Sequence, residues 1–225
     1  LPQSPQILKQ LTMIAGFDRY YQIARCFRDE DLRADRVQEI TQLDVEMSFP
    51  DQELIFALME RTMATIWREC IGVELEAPFP RLTHAEADLR YGSDKPDVRF
   101  GLEIADATES TRDSAFGVFA GAPCVRYLVA PKAFSRGELA KLEEVAKVWG
   151  AKGLAYLVVD ESGEVRSPIA KFLSERELAA FSAPPGSTVL FGADAPAQVS
   201  RVLGQLRLHL GRELGLIDED AWRWV

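Results

Sequence analysis

The sequence predicts an α+β fold in two parts, and three observations carry that expectation. Near the start, a helical stretch precedes two strand-like segments that flank a dense run of charges. From about residue 97 to residue 216, strands and helices alternate. Between these regions lies "YGSDKPDVRFG" (91–101), whose Gly, Ser, Asp and Pro content reads as a linker or boundary. At 225 residues, 47% of them hydrophobic and 27% charged, the chain has ordinary globular composition and can bury a real core.

Each element has its own local warrant. "PQILKQLTMIA" (5–15) reads as a short helix, with Pro5 suited to a first turn and Gly16 to its end. "RYYQIARCFR" (19–28) is rich in β-formers; Gln22, Ala24, Cys26 and Arg28 share one face, which is small-sided until Arg28 and leaves room for something to lie against it. In 39–49, Leu43, Val45, Met47 and Phe49 alternate with Gln42, Asp44, Glu46 and Ser48. The plain reading is an antiparallel strand with one wet face; the alternative is that the polar side floors a pocket. Residues 51–72 form an amphipathic helix, with Leu54, Leu58, Ile66 and Cys70 as core candidates. Thr83 and Glu86 are spaced as a capping box opening a short helix that ends before Gly92. Further on, "APCVRYLVAP", "LAYLVVD" and "STVLFGA" read as strands. Helices begin at Ser135–Glu138 and Ser174–Glu177, and a long one closes the region in "APAQVSRVLGQLRLHLGRELG". The strand–helix alternation suggests an α+β or α/β layer domain with its own core.

Composition excludes some functions. No apolar run approaches the ~18 residues of a membrane span. The opening "LPQSPQILKQ" has neither a basic signal region nor an initiator Met, which suggests a piece of a longer protein. Cys26, Cys70 and Cys124 lie far apart and, with only His84 and His209 besides, match no zinc spacing. A net charge of −9 argues against indiscriminate nucleic-acid binding, though not against a local basic surface for a folded RNA.

"LPQSPQILKQ", "GFDRYYQIARCFRDEDLRADR" and "TQLDVEMSF" resemble the catalytic core of bacterial-type aspartyl-tRNA synthetases, which are class II enzymes. The run 25–49 is similar to that class's second signature motif. "RYGSDKPDVRFGLEI" and the strand–helix region beyond it resemble the family's GAD-like insertion domain. The resemblance implies an antiparallel-sheet catalytic core over 1–96, the insertion over 97–216 and a return to the core at 217–225. It also implies a cytoplasmic ligase that activates L-aspartate with ATP and Mg2+ and passes it to tRNA, within a homodimeric parent.

The same resemblance implies site roles, position by position. Arg28 matches the arginine that bridges the ATP α-phosphate and the α-carboxylate of aspartate. A carboxylate attacking a phosphate needs a cation shared by both reactants, and a guanidinium fork positions and stabilises at once. Asp29, Glu30, Arg36, Val37 and Ile40 match nucleotide-contacting positions; Glu30, Arg33 and Arg36 match positions near the tRNA acceptor end, and Asp35 lies in the same loop. Ser4, Gln6, Lys9, Gln42 and Asp44 match the aspartate site. Lys9, about one helical turn after Gln6, is expected to read the side-chain carboxylate, with Asp44 orienting it and keeping it charged; Glu46 is either a further partner or merely exposed. Read alone, Lys9 is an ordinary helix lysine and Arg28 an ordinary strand-end arginine.

Two departures stand out. Where the family has Gln-Pro-Glu-Phe after the loop arginine, this chain has Val37-Gln38-Glu39-Ile40. Ile40 covers a ring face without the ~1–3 kcal/mol of aromatic stacking on a base, so weaker ATP binding is expected. The chain also stops at "DEDAWRWV", before the family's third motif and magnesium ligands. The metal ligands are therefore expected outside this chain, which by itself is expected not to make aspartyl-adenylate. The alternative reading is a non-catalytic binding module built on the insertion region, with a vestigial ATP site.

Overall fold

A computed structural model describes residues 2–32 and 36–225 and divides the chain into two compact units, one ending at Pro78 and the other running from Phe79 to Val225.

The first unit begins with α1 (Gln6–Ile14), which leads through a turn at Gly16 into β1 (Arg19–Phe27). An antiparallel hairpin comes next, β1 pairing with β2 (Glu39–Met47) from Arg19↔Met47 to Phe27↔Glu39. Then comes α2 (Gln52–Ile71), capped by Asp51, whose carboxylate accepts from the Leu54 N–H at 2.7 Å, and closed by Gly72 at φ 71°. Within this chain no residue of α2 is buried, and Leu54, Ile66 and Cys70 are exposed. What lies between α2 and the hairpin is a cavity of about 260 Å³ edged by Tyr21, Leu43, Val45, Met47, Leu58 and Met59.

The hairpin's two faces are also used contrary to the wet-face reading. Leu43 on the apolar side is 45% exposed, whereas the side chain of Asp44 on the polar side is 16% exposed. On the same side as Asp44, Ala24 and Cys26 are buried and Gln22 is exposed. The alternation is real; the face turned inward is the polar one.

The second unit is built on a five-stranded sheet. After α3 (His84–Tyr91), with both bonds of its Thr83–Glu86 capping box formed, come β3 (Ala105–Asp106), α4 (Gly117–Ala120) and β4 (Cys124–Ala130). The chain continues through α5 (Arg136–Val148), β5 (Ala155–Val159), β6 (Val165–Arg166), α6 (Glu175–Ala180), β7 (Ser187–Asp194) and α7 (Pro196–Glu213). Strand order is β3-β4-β7-β5-β6 and every pairing is antiparallel, so of the two expectations for 97–216 the sheet is of the α+β kind and not the parallel α/β kind. β4, α5 and β5 do form a strand–helix–strand unit, but β7 enters between its strands and runs against both. On one face Leu128, Val158 and Leu190 pack with Leu139 and Leu142 of α5 and Val202, Leu203 and Leu206 of α7. The other face is aromatic: Phe181 meets Phe191 at 4.8 Å and Tyr127 at 5.5 Å between ring centres.

Residues 91–101 are no loose linker. Arg207 of α7, 1% exposed, donates from Nη2 to the carbonyls of Asp97, Phe100 and Gly101 at 2.8–2.9 Å. Its guanidinium also stacks 3.9 Å from the Phe100 ring centre and 4.9 Å from that of Tyr91. Burial lowers its pKa, and carbonyl dipoles and ring faces take the place of a contacting carboxylate. The second compact unit starts at Phe79 and includes α3, which packs on α7. Residues near 217–225 lie in this unit too: Trp224 stacks on Phe79 at 5.9 Å and Glu219 pairs with Arg99 at 3.1 Å.

Glu138, third residue of α5, closes a capping box with Ser135 and accepts from Lys132 Nζ at 2.7 Å. The Lys132 ammonium, followed by the Ser135 side chain and N–H, pulls its carboxyl down to about 2. A carboxyl depressed on folding stabilises the fold above its ordinary titration range, and that contribution is lost as pH falls through about 2. A carbon-detected NMR titration should find Glu138 near that value, and Lys132→Met should move it back toward an ordinary glutamate.

Candidate active site

Lys9 is the organising residue of the first unit. It is the only buried residue of α1, at 9% exposure, although Ile7, Leu8, Leu11 and Ile14 of the same helix are exposed. A lysine preferred inside over four aliphatic neighbours requires partners there. Its Nζ donates to Asp44 Oδ1 at 2.9 Å and lies 3.2 Å from Glu46 Oε2. The bond to Asp44 raises the Lys9 pKa, outweighing the opposing effect of burial, and the bond to Glu46 acts in the same direction. Lys9 is thus an ammonium at any physiological pH. The other oxygen of Asp44, Oδ2, is buried with no hydrogen-bond partner among the described residues.

The hairpin register determines what shares this face. Residues paired across the strands point the same way, so Tyr20, Gln22, Ala24 and Cys26 stand with Glu46, Asp44, Gln42 and Ile40. Arg28 comes directly after β1, and its N–H bonds the Gln38 carbonyl at 2.8 Å, extending the pairing one step. By alternation Arg28 falls on the Asp44 side, at the far end of the face from Glu46, with Gln42 between. Its guanidinium is half-buried and 4.0 Å from Glu30. The Pro2 carbonyl accepts from the Phe27 N–H at 2.9 Å, tying the segment before α1 to the same end of β1.

The remaining sequence candidates are less tightly held. Ser4 and Gln6 are exposed, on the segment that leads into and opens α1; Asp29, Arg36 and Val37 are exposed, while Glu30, Ile40 and Gln42 are half-buried. Arg33 and Asp35 lie outside the described residues. Glu46 is the residue that sequence reasoning left undecided. Its signal was present, two positions past Asp44 on the same face, but only the position of α1 shows that Lys9 reaches both. Among the described residues no three His, Cys, Asp or Glu side chains are grouped to hold a metal ion.

The family of tRNA synthetases class II (D, K and N) matches residues 1–222. The chain belongs to that family. All of it aligns with the aspartate–tRNA ligase of Geobacillus kaustophilus at 52% identity, covering 40% of that protein. The aspartate–tRNA(Asp/Asn) ligases of Nitratidesulfovibrio vulgaris and Moorella thermoacetica align over the full chain at 48% and 52% identity, with 38% and 39% of their lengths covered. The chain therefore spans about 40% of the length of the curated relatives it matches. Mixed helices and antiparallel sheets are the structure this class II synthetase chain adopts, and none of the helices among its described residues is long and apolar enough to cross a membrane.

Proposed function

We propose that this chain is part of an aspartate–tRNA ligase and forms the wall where L-aspartate meets the α-phosphate of ATP. The observation that carries the reading is the buried ammonium of Lys9, fixed by Asp44 on a polar hairpin face that ends at Arg28. Relatives that are aspartate–tRNA ligases support it over the lysine and asparagine branches of the family. In this reading Lys9 takes the side-chain carboxylate of aspartate. Asparagine is rejected because its amide forfeits the charge attraction. Ser4 and Gln42 hold the substrate's ammonium end, Gln6 stands with Lys9 in the aspartate-recognising stretch, and Arg28 bridges α-carboxylate and α-phosphate, so that attack is favoured by position and by neutralisation of growing charge. Asp29, Glu30, Arg36, Val37 and Ile40 line the nucleotide, and Glu30, Arg33 and Arg36 meet the tRNA end.

A wider reading follows from the kinship alone. Residues 1–96 and 217–225 belong to a class II catalytic core, 97–216 to a GAD-like insertion, and the parent is a cytoplasmic homodimer. Mg2+ would accompany ATP and supply charge neutralisation on the phosphates, its ligands lying outside this chain. The deciding measurement is amino-acid-dependent ATP–pyrophosphate exchange by the full-length protein that contains this chain. Exchange with L-aspartate and none with L-asparagine or L-lysine is expected. Exchange driven by either of the latter instead would overturn the assignment.

A further inference from the structure

We infer that Glu46 is a displaceable counter-ion, a positioning residue that holds Lys9 before substrate binds and gives way to the side-chain carboxylate of the substrate. The inference rests on the aspartate-binding reading and adds a role for a residue that reading left out. Lys9 is bracketed by two carboxylates, so the three side chains together carry one more negative than positive charge. A third carboxylate that joins that group adds repulsion, which the departure of one of the first two relieves.

The geometry decides which one leaves. Asp44 makes the shorter bond, 2.9 Å against 3.2 Å, and its side chain is 16% exposed against 33% for Glu46. Oδ2 of Asp44 is buried without a partner, so Asp44 has no solvated position to retreat to short of rearranging the hairpin. Glu46 stands near the end of β2, paired with Tyr20, and its half-open side chain can swing into water at little cost. Asp44 is therefore the permanent anchor and Glu46 the occupant that mimics the ligand. Before substrate binds it keeps the ammonium in place; on binding, one carboxylate replaces another on the same nitrogen.

The test is steady-state exchange kinetics on the full-length protein, comparing wild type with Glu46→Gln, Glu46→Ala and Asp44→Asn. Removing the Glu46 charge should lower the aspartate KM about fivefold, the change falling in KM and not in kcat. Asp44→Asn should raise that KM by an order of magnitude or more. Calorimetric binding of L-aspartate without ATP should reproduce the order of affinities, which a merely structural role for Glu46 would not produce. An unchanged or raised KM in both Glu46 variants, with the wild type active, overturns the inference and leaves the aspartate assignment standing. A wild type inactive with aspartate sinks both. Because the glutamine variant is isosteric at a partly exposed position, and the alanine variant provides a second probe, a folding defect in one does not decide the matter.

Discussion

Gly92→Ala is expected to destabilise the second unit by about 2–5 kcal/mol, among the largest effects of any single methyl group in this chain. Gly92 ends α3 in the left-handed region, at φ 66°, where a side chain costs roughly 1–2 kcal/mol by itself. A Cβ there would also lie 2.2 Å from the Ser200 carbonyl oxygen and 2.8 Å from the Cα of Gly204. Both are backbone atoms in the middle of α7, so no side chain can rotate away. The contact sits in the joint where α3 meets α7, next to the Asp88 carboxylate that accepts from Ser200 Oγ at 2.9 Å and from Arg126 Nη1 at 3.2 Å. Gly215→Ala supplies the control: it has φ 63° at the end of α7, with nothing within 4 Å of its would-be Cβ. That variant should lose only the conformational part, about 1–2 kcal/mol. Urea unfolding followed by circular dichroism should show both midpoints lowered at constant m-value, Gly92→Ala further than Gly215→Ala. Equal losses in the two variants would mean that the helix–helix approach is looser than 2.2 Å implies.

Lys9→Met is expected to reduce kcat/KM for aspartate by about 2–5 kcal/mol, roughly 30- to 5000-fold, because it removes the cation and leaves the Asp44 carboxylate buried and unpaired. Loss of charge recognition and loss of stability both contribute, and a second variant separates them. Lys9→Met combined with Asp44→Leu replaces the ion pair by apolar groups of similar volume, a change that is often neutral or stabilising in buried pairs. Thermal unfolding of the double variant should return close to wild type while aspartate-dependent exchange stays low. Recovery of exchange together with stability would mean that Lys9 only holds α1 against the hairpin.

Local features were legible from residue type and spacing. The Thr83–Glu86, Ser135–Glu138 and Ser174–Glu177 capping boxes all form, because a cap is satisfied within four residues by groups the chain itself brings together. The hairpin was legible for the same reason, since alternation over β2 reports strand geometry directly. Which face turns inward was not. Alternation says that polar and apolar residues point opposite ways, and only Lys9 on a different element made the polar way the buried one. The expected linker failed likewise: Gly, Ser, Asp and Pro at 91–101 describe a turn-rich backbone, but Arg207, more than a hundred residues later, turns its carbonyls into a fixed ligand set.

By itself, then, the sequence determined where helices and strands begin, which residues have the chemistry to read a carboxylate, and the kinship that names their roles. Tertiary structure decided the rest: β7 running against both β4 and β5, the unit starting at Phe79, and Glu46 as the second partner of Lys9. The physical reason is range. Caps and alternation are set by neighbours a few residues away, whereas strand order and the pairing of a buried charge depend on groups that meet only after the chain has closed long loops.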